Sequence, residues 1–116
     1  EVPKPALPEY QALIEKISAR LSHPWTLADI AHLLNISERT VSRQFTQQTG
    51  LSFIEWLRRL RLQYSLELLL QGQSVIDVAL AVGYDSPSAF STAFKQRIGL
   101  SPTQYVAGYQ HNFSQV

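Results

Sequence analysis

Apolar residues recur at helical spacing along the whole chain, which predicts an all-α fold. Tyr10, Leu13, Ile14, Ile17 and Leu21 mark a first helix from about Pro8 to Leu21, broken by His23–Pro24. Thr26 is a good N-cap, with Asp29 three residues on as a partial capping box, for a helix whose apolar stripe is Leu27, Ile30, Ala31 and Leu34. Asn35 can take a left-handed turn, Ser37 caps the next helix, and Gly50 ends it. Ser52 caps a longer helix carrying Phe53, Leu57, Leu60, Tyr64 and Leu68, which stops at Gly72. Ser74 then caps a short helix with Val75, Val78, Ala79 and Val82 before Gly83. Ser86–Pro87 opens another that Gly99 closes, and Ser101–Pro102 starts a last short helix through Tyr105. The tail QHNFSQV shows no pattern and is expected to be loose.

The second half repeats the first. Thr26-Leu-Ala-Asp-Ile-Ala lines up with Ser74-Val-Ile-Asp-Val-Ala, Phe45 with Phe94, Gly50-Leu-Ser with Gly99-Leu-Ser, and Trp56 with Tyr105. Two copies of helix, tight turn and helix are therefore expected, joined by the long helix that begins at Ser52. The expected organisation is a linker over 1–7, a first helix-turn-helix subdomain over 8–51, a linker helix over 52–71, a second subdomain over 72–108 and the tail over 109–116. Methionine is absent, and the opening EVPKPALP holds three prolines in eight residues, so a fragment of a longer protein is expected, its linker leading from a missing N-terminal part.

Composition narrows the function. At 45 % hydrophobic residues a buried core is possible, and the absence of cysteine excludes disulfides, thiolate catalysis and Cys-ligated metal. No apolar run reaches membrane-spanning length. The formal charge is only +1, but it is unevenly placed. Residues 37–61 hold five arginines against Glu38 and Glu55, and the segments on either side are each slightly acidic.

The helix capped by Ser37 shows what that local charge could do. At about 100° per residue, Val41 and Phe45 share one side, and Arg39, Ser42, Arg43 and Thr46 lie opposite. A helix packed by its apolar side, with arginine forks and small hydroxyls outside, suits a DNA major groove, where Arg donates two hydrogen bonds to guanine O6 and N7. Its N-terminus at Ser37 could seat a phosphate. In the second copy Phe90 and Phe94 take the core side, with Ser88, Ser91, Thr92 and Lys95 outside, so this copy is expected mainly to position the protein on phosphates. Some 18 residues of joining helix span roughly 27 Å, against about 34 Å between major-groove segments on one DNA face, so the two outer helices could enter successive turns. Arg58, Arg59 and Arg61 on that helix cannot all point one way, and at least one is expected to be structural.

These residues resemble the DNA-binding domain of the AraC/XylS family of bacterial transcription regulators. The similarity lies in Leu27, Ile30-Ala31, Ser37, Val41, Arg43, Phe45 and Gly50, in Leu57-Arg58-Arg59-Leu60-Arg61-Leu62 and Leu68-Leu69, and most specifically in the stretch from Gly83-Tyr84 through Phe90-Ser91, Phe94-Lys95 and Gly99-Leu100-Ser101-Pro102 to Tyr105. It covers about residues 8 to 107. The resemblance implies about seven helices, with two helix-turn-helix subdomains bridged by a long linker helix. It implies base contacts at Arg39, Ser42, Arg43, Pro87, Ser88 and Thr92, to which phosphate contacts at Ser37, Thr40, Thr46, Ser86, Ser91 and Lys95 are added. It further implies promoter DNA as partner, RNA polymerase too if the protein is an activator, an effector ligand bound by a missing domain, and a cytoplasmic location. No cofactor is expected. Thr92 stands where the family often has Arg, and Val106 where an Arg often follows the final Tyr, and both changes weaken the expected grip of the second copy.

Two other readings compete. An enzyme lacks support, because His23, His32 and His111 show no metal-ligand spacing and no phosphate loop or nucleophile motif appears. A helical protein-interaction module is the alternative, and it predicts apolar patches on the outer helix faces, where the sequence places polar residues.

Overall fold

The computed structural model describes residues 2–114 of the chain, with side chains described over 2–109. Among these residues there are seven α-helices and no strand: α1 (Pro8–Ala19), α2 (Leu27–Leu34), α3 (Glu38–Thr49), α4 (Phe53–Leu70), α5 (Val75–Ala81), α6 (Pro87–Ile98) and α7 (Pro102–Ser114). The all-α class and the helix order follow the sequence pattern.

The repeat is visible first in the helix starts. Thr26 and Ser74 each accept the amide three residues on, at 3.1 Å, and Ser37 and Ser86 do the same for Thr40 and Ala89 at 3.1 and 3.0 Å. Ser52 and Ser101 cap α4 and α7 in the same way at 3.2 and 3.1 Å. Each such cap satisfies an amide that the helix itself leaves unpaired, and is worth about 1 kcal/mol. At Thr26 the capping box is complete, because the Asp29 carboxylate also accepts the Thr26 amide at 2.9 Å. The helix ends match as well. Gly50 and Gly99 close α3 and α6 at φ of 76° and 91°, a left-handed conformation that glycine enters without strain.

The chain divides into two compact units, Glu1–Gln63 and Tyr64–Val116, with the boundary inside α4. In the first unit, Phe45 of α3 is fully buried and meets three rings edge-on, each at 5.3 Å between centroids: Tyr10 of α1, Phe53 and Trp56 of α4. Ile17, Ile30 and Val41 complete this core. In the second unit the equivalent Phe94 meets Tyr105 of α7 at 5.8 Å and Phe90 at 5.6 Å, over buried Val78, Ala79 and Val82. The pair Phe45–Trp56 and the pair Phe94–Tyr105 are the same contact made twice.

The structure departs from the sequence expectation at both ends. Residues 2–6, expected as linker, are packed on the first unit, with Val2 and Pro5 buried. The final helix does not stop near Tyr105 but continues to Ser114, so the segment expected to be a loose tail has helical backbone over most of its length. No proline after Pro102 interrupts it. Gln115 and Val116 lie outside the described residues, as does the side chain of His111.

α1 ends at Ala19, short of Leu21, and Arg61 supports the turn beyond it. Its guanidinium donates to the Leu21 carbonyl oxygen at 3.2 and 3.1 Å and to the His23 carbonyl oxygen at 2.9 Å. Carbonyls beyond the helix end thus find a charged donor across about 40 residues of sequence. Replacing Arg61 by Met keeps the apolar stem but strands these acceptors. Arg61→Met is expected to lower unfolding free energy by about 1–3 kcal/mol in denaturant titration. An unchanged transition midpoint would show that water satisfies these carbonyls equally well.

Candidate nucleic-acid interface

α2 packs against α3 and α5 against α6, each pair joined by a tight turn. In the first, Asn35 adopts φ 55° and ψ 43°, and the Ile36 amide donates back to the Ala31 carbonyl at 3.1 Å. This local left-handed residue ends α2 within one turn of the Ser37 cap. α3 is then anchored by Val41 and Phe45, both fully buried, which dictates which of its faces meets solvent.

That face holds the expected residues. Arg39, Ser42, Arg43 and Thr46 are exposed, as is Ser37, and Thr40 is half-buried. Among the described residues neither arginine has an ion-pair partner. Glu38, adjacent to Arg39 in the sequence, makes no ion pair with either, and Glu55 is engaged elsewhere: it accepts from Arg58 at 2.8 Å and from Arg59 at 3.4 Å. With Arg61 holding backbone carbonyls, all three arginines of α4 have protein partners, and Arg39 and Arg43 are the arginines of α3 left facing solvent.

The hydroxyls are less alike than the sequence suggests. Thr46 donates its proton to the Ser42 carbonyl at 3.0 Å, leaving the oxygen only lone pairs to offer outward. Ser37 and Thr40 share a hydrogen bond at 2.9 Å, so one of these two hydroxyl protons is retained inside the cap.

On α6, Pro87, Ser88, Thr92 and Lys95 are exposed, and Ser86 and Ser91 are half-buried. Phe90 and Phe94 hold the opposite side, both fully buried. Pro87 at the first helical position carries no N–H, so the start of α6 presents one amide fewer to an anion than the start of α3.

Two side chains outside the expected set share these faces. At about 100° per residue, Gln47 continues the stripe of Arg39 and Arg43, and Gln96 continues that of Ser88 and Thr92. Both are exposed, and they stand 49 positions apart, the offset that pairs Phe45 with Phe94. A glutamine amide can pair with adenine N6 and N7. The repeat alignment itself would have singled them out, had both copies been read one turn further.

Comparison with known proteins agrees with this geometry. A family model described as a helix-turn-helix domain matches residues 30–108. Over 106 residues the chain is 34 % identical to the HTH-type transcriptional regulator NimR of Escherichia coli, covering 91 % of this chain and 39 % of that protein. It is 35 % identical to the HTH-type transcriptional activator RhaR of Klebsiella pneumoniae, covering 87 % of this chain and 38 % of that one. The chain thus spans about two fifths of the length of these curated relatives. Among solved structures, the DNA-binding domain of the global transcriptional factor AdpA, in complex with a target DNA, superposes with a TM-score of 0.83 at 27 % identity over 97 % of this chain and 99 % of that one. The C-terminal domain of AraT, a response regulator from Geobacillus stearothermophilus, gives a TM-score of 0.80 at 36 % identity, over 88 % and 86 %. This is a family of DNA-binding regulator domains and not of enzymes. With two capped helix-turn-helix units, polar outer helix faces and these relatives, the chain belongs to the AraC-type helix-turn-helix DNA-binding domains.

Proposed function

We propose that this chain reads double-stranded promoter DNA sequence-specifically through the major groove, as the DNA-binding part of a larger bacterial, cytoplasmic, effector-responsive transcription regulator. α3 carries the base reading through Arg39, Ser42 and Arg43, with Gln47 one turn on. Ser37 and Thr40 lie on the phosphates beside it, and Thr46 joins them when its hydroxyl turns from the Ser42 carbonyl to donate outward. α6 contributes Pro87, Ser88 and Thr92 toward bases and Ser86, Ser91 and Lys95 toward phosphates, with the weaker readout. The subdomains over 8–51 and 72–108, with the helix over 52–71 between them, would each present one helix, α3 or α6, to a major groove. The effector ligand would bind a domain outside this chain, and an activator would also meet RNA polymerase.

The observation that carries this reading is the exposed, unpaired Arg39–Arg43 stripe on a helix whose opposite side is locked into the core. On the side of a protein-interaction module stand Ile76 and Leu80, 58 % and 55 % exposed and one turn apart on α5. They lie off the outer faces of α3 and α6, which are polar. Fluorescence titration with duplex DNA separates the two readings. If roughly four phosphates are neutralised, affinity should fall about a hundredfold between roughly 50 and 200 mM salt. Binding indifferent to salt would remove direct phosphate contact from the proposal.

A further inference from the structure

The proline-rich opening does more than lead into α1. Pro3 and Pro5 have no N–H, so the segment offers carbonyls and few donors. The Pro3 carbonyl oxygen accepts from the indole N–H of Trp56 at 2.7 Å. Trp56 is fully buried, and that N–H is its one polar atom. The Ala6 amide donates to Oε1 of Gln48 at 3.1 Å. One turn into α1, the Tyr10 hydroxyl donates to Oε1 of Gln44. Burial, with the Glu9 charge adding to it, pushes the Tyr10 phenol up from its ordinary value, so it stays a donor at neutral pH.

These contacts fall together on α3. Gln44 and Gln48 are one turn apart, Phe45 lies beside them, and the Phe45 ring rests on Trp56. All three side chains are on the flank turned away from the Arg39–Arg43 stripe. α3 is therefore gripped from behind by residues 3, 6 and 10, two directly and one through Trp56.

We infer that residues 2–6 and Tyr10 form a rear clamp on α3, making Gln44 and Gln48 positioning residues for base discrimination by its outer face. The inference rests on the DNA reading proposed above. Its physical basis is a difference in tolerance. Bidentate pairing with a base edge needs placement to within about 0.5 Å, whereas attraction to phosphates is long-ranged and forgiving. A loosened α3 should lose discrimination while keeping general affinity.

Ala6→Pro removes the donor and Gln48→Ala the acceptor of one hydrogen bond, and Gln48 is an exposed position that tolerates truncation. The readout is the affinity ratio between a duplex selected from a random pool and its scrambled counterpart. Each variant should lower that ratio about fivefold, the equivalent of one ordinary hydrogen bond, with the helical fold retained and scrambled-duplex affinity little changed. The double variant should lose no more than either single one, because both break the same contact. Gln48→Glu restores an acceptor for the Ala6 amide and should recover the ratio, since its added charge acts on both duplexes alike. The clamp is overturned if both single variants keep the full ratio, or if Gln48→Glu fails to recover what Gln48→Ala loses. A wild-type chain that prefers no duplex would instead bring down the DNA reading itself.

Discussion

Phe45→Ala should cost about 3–5 kcal/mol of unfolding free energy and abolish DNA binding with it. The size follows from position. Phe45 is fully buried, and its ring touches α1 and α4 together, through Tyr10, Phe53 and Trp56. Truncation leaves a cavity walled by three rigid rings, which cannot collapse as flexible aliphatic chains could. It also removes the main anchor of α3, whose outward side has no apolar group to replace it. A domain of this size has only about 5–15 kcal/mol of stability in total, so the first unit should be largely lost. Denaturant unfolding followed by tryptophan fluorescence reports it directly, because Trp56 lies against the deleted ring. A loss under about 1 kcal/mol would mean that the neighbouring rings repack, and that α3 is held by something other than this cluster.

Arg43→Ala is expected to cost about 1–3 kcal/mol on the preferred duplex and to relax selection at one base position. Arg43 is exposed, points away from Val41 and Phe45, and has no ion-pair partner among the described residues, so its removal should leave folding intact. Lys95→Ala is the contrast. A flexible ammonium on α6 suits phosphate contact, and its loss should weaken all duplexes alike. Repeating the selection from a random pool with each variant checks both. Uniform weakening by Arg43→Ala would move that residue to the phosphates, and a base-selective effect of Lys95→Ala would move it to the bases.

The candidate interface was largely legible because it is written in local phase. The buried pair on α3, four residues apart, dictates which side chains face outward, and the same holds for Phe90 and Phe94 on α6. Hydroxyl chemistry was less legible. Thr46 is polar and outward on any helical wheel, yet its proton is held by the Ser42 carbonyl. Only the side-chain rotamer decides that.

By itself the sequence determined the order of the helices, their serine and threonine caps, the glycine stops of α3 and α6, the duplication and the polar outer faces. Each depends on residues within one or two turns of each other, where spacing alone specifies the geometry. Tertiary structure alone decided how the arginines of α4 divide between Glu55 and the carbonyls after α1, and that the opening segment lies behind α3. The contacts that hold that segment join Pro3 to Trp56 and Ala6 to Gln48, 53 and 42 positions apart. No local pattern encodes such pairs. The first exists because a buried indole N–H requires an acceptor, the second follows from where the first holds the segment, and only the folded chain brings either pair within reach.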